Sequence, residues 1–146
     1  MFVPVNLRDG SKKDTVRNIE ATGEFVVNLV TFAHVEKMNA CAALLPHGES
    51  EFEKFGIASV AAEAVRPRRV AGAPVSFECR LHSITRIGDG PGAANVVFGS
   101  IQLMHVDDAV LGADGKVDPA KLDLVAPLGG EAYTRLGEVF SLKRPD

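Results

Sequence analysis

The 146-residue sequence contains no tryptophan, one tyrosine and two cysteines. Cys41 and Cys79 lie 38 positions apart and cannot build a disulfide framework. Both fall among apolar neighbours and read as small core hydrophobes in a reducing compartment. No charge of one sign dominates, since 16 Lys and Arg face 19 Asp and Glu, a net charge of −3. That balance excludes general nucleic-acid affinity, and any anion site must be a local basic cluster. No apolar run approaches the ~18 residues of a membrane span. The opening Met1–Asp9 lacks the basic head and unbroken apolar stretch of a secretory signal, so the cytoplasm is the expected compartment.

Other absences concern chemistry. His34, His47, His82 and His105 have no HxH or HxxxH spacing, which argues against zinc. No GxSxG elbow marks a serine hydrolase. Gly88-Asp-Gly-Pro-Gly92 resembles a phosphate loop, but a strand follows it where that loop needs a helix. His105 begins a His-Val-Asp-Asp run at the end of an apolar strand and reads as a satisfied structural histidine.

What is present is a globular composition, 46% apolar and 24% charged, without repeats, low-complexity segments or a linker. A single domain over 1–146 is expected. Phe2–Leu7 reads as an N-terminal edge strand, which Pro4 permits. A short helix follows up to Gly23, capped by Ser11 or Asp14, with Val16 and Ile19 facing one way. Residues 24–31 predict a strand covered on both faces. Val35, Met38, Ala42 and Leu45 predict an amphipathic helix ended by Pro46, and Phe52 and Phe55 a shorter one. Residues 58–74, with Arg66, Arg68 and Arg69, read as an irregular solvent-facing crossing. Val75, Phe77, Cys79 and Leu81 alternate with Ser76, Glu78, Arg80 and His82, giving a strand with one core face and one wet or interface face. Residues 95–106 return beside it, with Gly99 marking a bulge or a close backbone approach. Asp118 and Pro119 begin a single helical turn. This order fits a small barrel or curled sheet with helices at its ends.

Arg8, Lys12, Lys13 and Arg17 gather at the start of the first helix, where backbone N–H groups also point outward. Free donors, helix dipole and cationic side chains together suit a phosphate. A solvated basic turn beside a capped helix is the alternative reading of the same residues.

The run from Lys12 to Asn28, with its Lys-Asp-Thr helix start, Asn18-Ile19 pair and Thr22-Gly-Glu-Phe-Val-Val-Asn28 strand entry, resembles the flavin reductase-like family of FMN-binding split barrels. Met38-Asn39, the Pro74-to-Cys79 strand and His105-Val-Asp-Asp108 match it in order and spacing. So does the tail, Leu128-Gly-Gly with Tyr133, Arg135-Leu-Gly, Phe140 and Arg144-Pro145. The resemblance implies a mainly β fold with short helices, a split β-barrel, forming a homodimer with FMN at the subunit interface. It implies hydride passing from NADH or NADPH to flavin or a small acceptor. Phosphate contacts carried onto matching positions fall at Arg8, Ser11, Lys12, Asp14 and Thr15, with Asn6 reaching the ribityl chain or ring edge. Asp14 suits a capping role better than contact with an anion. The family pattern also carries further strands before this segment, with a Ser/Thr-rich strand end and an Asn-x-Ala-Pro-x-Ser-like turn. The resemblance therefore implies a barrel missing its first strands, and a non-catalytic flavin-binding or structural dimer is the second reading.

Overall fold

The alternating residues 75–82 form the axis around which everything else is placed. The structure, a computed structural model, describes residues 1–145. In chain order it runs α1 (Asp14–Thr22), β1 (Glu24–Asn28), α2 (Val35–Ala40), α3 (Glu51–Lys54), β2 (Ser59–Val60) and β3 (Arg69–Val70). The long hairpin β4 (Val75–Ile87) and β5 (Ala94–Val106) follows, then one turn of helix α4 (Pro119–Leu122) and the hairpin β6 (Val125–Gly129) and β7 (Ala132–Arg135). β4 lies between β1 and β5 in an antiparallel sheet, while β2–β3 and β6–β7 are separate pairs. The opening segment runs along β5, Phe2 bridging Val97 and Val5 bridging Ala94, as expected of an edge strand. No helix among the described residues is long and apolar enough to cross a membrane.

One face of the sheet is apolar. Val16 and Ile19 of α1 are buried, and Gly23, at φ 69°, ends that helix with its N–H on the Ile19 carbonyl. Ile19, Phe25, Cys79 and Val97 form the core, with Phe2, Phe77 and Leu81 packed against them. Burying each large side chain there contributes roughly 1.5–3 kcal/mol. Phe2 meets Phe25 edge to face with centroids 5.4 Å apart. Gly99 is a close approach: a Cβ there would stand 2.9 Å from Phe25 Cε1, a contact real side chains do not make.

The opposite face overturns the sequence expectation. It does so over half its length: Ser76 and Glu78 are 1% and 0% exposed, whereas Arg80 and His82 are exposed as expected. Residues 58–74 are not a free crossing either, because β2 and β3 pair and the segment between them lies on this face as a strap. Glu78 carries the strap, accepting N–H groups from Glu63 at 2.9 Å and Ala64 at 2.5 Å. His105 Nε2 lies 2.6 Å from the same carboxylate and the Arg69 guanidinium 3.6 Å away. Burial alone would push the Glu78 carboxyl up. The two N–H groups and then His105 outweigh it and hold the group at about 2. Asn28 Oδ1 accepts from Val70 N–H and Ser76 Oγ, and Arg66 binds Glu24. The histidine is structural, as its position on an apolar strand suggested.

Other boundaries also shift. β1 stops at Asn28, and Thr31 instead bridges Leu124. α2 ends at Ala40, well short of Leu45. No residue of α2 is buried, so its apolar stripe finds no wall able to sustain a longer helix. Cys79 is buried, whereas Cys41, just past α2, is only partly covered. Asp118 caps α4 through the Ala120 N–H at 2.9 Å with Pro119 in the first turn, as its sequence requires. Leu122 then joins Val75 and Val110 in a second apolar cluster.

Candidate functional site

The basic corner is built from the 8–11 turn and the start of α1. Neither Ser11 nor Asp14 caps the helix: Lys13 holds the cap position and gives no side-chain bond. Ser11 instead turns back, its N–H and hydroxyl both donating to Asp9 Oδ1 at 2.8 and 2.6 Å. Those bonds hold the Asp9 carboxyl below its usual range. Among the described residues, the N–H groups of Lys12, Lys13, Asp14 and Thr15 reach no acceptor. The nine-residue helix thus presents an uncapped positive end.

Asn6 fixes the corner to the β4–β5 turn. Its amide donates to the carbonyls of Gly10 and Gly90 and accepts from Asn95 at 2.9 Å. Gly10, at φ 83°, a backbone conformation that favours glycine, lies against Gly90, where an added Cβ would touch its backbone at 3.4 Å. Between these turns opens a cleft of about 80 Å³ lined by Asn6, Lys12, Arg86, Asp89 and Asn95 among others. Lys12 and Arg86 both bind Glu20 of α1, Lys12 at 2.6 Å and Arg86 at 2.8 Å. The bond to Lys12 outweighs partial burial and, with Arg86, holds the Glu20 carboxyl low.

The structure therefore brings Asn6, Ser11, Lys12 and Asp14 to one corner with different engagements. Asn6 and Ser11 bond within the chain, and Lys12 is paired with Glu20. Asp14 binds His47 Nδ1 at 3.0 Å and lies 3.5 Å from Arg17. Arg8 and Thr15 are exposed, with no side-chain partner among the described residues. Sequence reasoning missed Glu20, Arg86 and His47. Arg86 was detectable only as a basic residue ending a strand beside a glycine-rich turn. His47 lies 33 positions from Asp14, beyond any local pattern.

A larger groove of about 540 Å³, beside Asp123 and Arg135, lies away from this corner. Its two charged groups already pair with each other, and Arg135 stacks 4.4 Å above the Phe32 ring. Its lining holds no unpaired charged side chain among the described residues, and the smaller cleft is the better candidate.

Comparison with known proteins agrees with the fold. The flavin reductase like domain model matches residues 2–121. A protein of Halalkalibacterium halodurans, itself uncharacterised, is 37% identical over 139 residues, which cover 94% of this chain and 66% of that protein. The chain thus spans about two thirds of that relative's length. The crystal structure of nitrilotriacetate monooxygenase component B from Bacillus cereus superposes with a TM-score of 0.86 at 31% identity, over 94% of this chain and 69% of that one. A split barrel domain protein of Shewanella frigidimarina gives 0.80 over 98% and 84%, and at 21% identity speaks for the fold alone. The mainly β architecture with short helices is that of the split barrels, and the chain belongs to the flavin reductase-like family.

Proposed function

We propose that the chain binds FMN, gripping its phosphate at the 8–15 corner, and works as an oxidoreductase between NADH or NADPH and flavin or a small acceptor. The uncapped start of α1, with four unpaired N–H groups beside Arg8 and Lys12, carries the reading. A helix start bears about half a positive charge, and a phosphate monoester about −1.5 to −2 at neutral pH. Arg8 and Lys12 neutralise the phosphate in this reading, the Thr15 hydroxyl donates to it, and the Ser11 hydroxyl does so by turning from Asp9 to the ligand. Asp14 keeps its charge off the anion by facing His47 and Arg17. Asn6 sets the spacing of the two turns and lies nearest the ribityl side.

Hydride transfer is the chemistry that flavin supplies when bound, and the chain's part is position and field. A cleft of about 80 Å³ suits a phosphate rather than a tricyclic ring. The ring is therefore assigned to the interface with a second copy of the chain. Ile101 and Met104, 59% and 56% exposed on β5, provide apolar surface for such a partner. The small cleft also favours a second reading, a flavin holder without turnover.

Titrating the chain with FMN while following flavin fluorescence and sedimentation tests binding and dimerisation together. Saturable quenching with a dimer is expected, and Lys12→Ala should weaken FMN by ~1.5–3 kcal/mol. Bleaching of the visible absorption by NADH or NADPH separates the oxidoreductase from the passive holder. A dye that never binds overturns both readings.

A further inference from the structure

Resting on that reading, we propose that Glu20, in the last turn of α1, engages Lys12 and Arg86 in the free protein in place of an anionic ligand, and that Arg86 is a phosphate ligand once Glu20 is displaced. The two cations lining the cleft, Lys12 and Arg86, come from separate elements and converge on one carboxylate. No core contact requires this convergence: the side chains of Lys12, Glu20 and Arg86 are 27%, 33% and 57% exposed. Opposed cations held 2.6–2.8 Å from an oxyanion make the arrangement a phosphate monoester would need. Asp89 is the other charged group lining the cleft, so the resting corner is close to neutral. Departure of Glu20 into water leaves it positive.

The exchange has a consequence for ligand choice. A phosphate monoester carries more charge than the carboxylate it replaces, so both cations gain by the swap. Each phosphate of a dinucleotide's diphosphate bridge carries a single charge and gains little over Glu20. The corner thus discriminates in favour of FMN over FAD, and Arg86 is a specificity-determining residue.

The test titrates the full chain, Glu20→Gln and Arg86→Ala with FMN, FAD, riboflavin and inorganic phosphate, checking each fold by circular dichroism. Glu20→Gln should tighten FMN about fivefold by removing the internal competitor. Arg86→Ala should weaken FMN about tenfold and narrow its advantage over FAD. Riboflavin, which lacks the phosphate, should bind all three proteins alike. FMN affinities within twofold of one another across the three proteins would overturn the inference and leave the flavin reading intact. If no protein binds FMN, the flavin reading fails and inorganic phosphate decides. Tighter phosphate on Glu20→Gln then sustains the exchange, and equal or absent binding overturns it. Should Glu20→Gln not fold, Arg86→Ala and Arg86→Lys carry the test alone, with Lys retaining FMN binding better than Ala.

Discussion

The two faces of the central sheet are covered by opposite means. Against α1, Ile19, Phe25, Cys79 and Val97 exclude water by close packing. Under the strap, a carboxylate with no exposure gathers two N–H groups, an imidazole and a guanidinium. Apolar packing is non-directional and insensitive to pH, whereas a buried carboxylate stabilises only while every partner stays in place. The same strand can therefore be secured on one side by shape and on the other by valence.

Four substitutions probe that contrast, in decreasing order of expected cost. Phe25→Ala should remove about 4 kcal/mol by opening a cavity under Phe2 and Gly99, read as a lower urea midpoint. Glu78→Ala should cost about 3 kcal/mol, because His105 and two N–H groups lose their shared acceptor and Arg69 its counter-charge. It should also free the strap, so that trypsin cuts after Arg68 and Arg69 before the sheet unfolds. Equal protection of those sites in the variant and the natural protein would show that the strap does not depend on Glu78. Gly99→Ala should cost about 2 kcal/mol through overlap with the Phe25 ring, and pairing it with Phe25→Leu should recover part of that loss. Asp118→Ala, remote from both faces, should cost about 1 kcal/mol through its cap.

Acid separates the faces without mutation. Glu78 titrates at about 2 in the folded chain against an ordinary 4.5. A depressed carboxyl gives its full stabilisation above the unfolded value and loses it as pH falls from 4.5 towards 2. Urea midpoints measured across that window should fall less steeply for Glu78→Gln than for the natural protein. Parallel slopes would place the acid sensitivity elsewhere.

The apolar face was legible because each signal is local. Val16 and Ile19 lie three apart, Gly23 ends the helix, and the Val75–Leu81 alternation marks the core side. The strap was not, because Ser76, Glu78 and Arg69 look like ordinary solvent-facing residues until Glu63 and Ala64 fold over them. The alternation of β4 correctly separated its two faces and correctly left Arg80 and His82 exposed, but gave no sign that Ser76 and Glu78 are covered. At the corner, Lys12 and the helix start were visible as a cluster of charge. Its competitor Glu20 was not, since it lies eight residues from Lys12 and 66 from Arg86. The N-cap expectation failed for a similar reason: Asp9 holds Ser11, and His47 arrives from a distant loop to hold Asp14.

The bond from Asn95 back to Asn6 spans 89 residues. At ordinary rates of translation, the opening segment leaves the ribosome roughly 5–20 s before the strand it must join. During that interval Phe2 and Val5 have no edge to pair with. The β4–β5 hairpin, whose arms adjoin in sequence, can close first and offer a finished border. Residues 2–5 thus find their place only after a hairpin that follows them in the chain by some ninety residues.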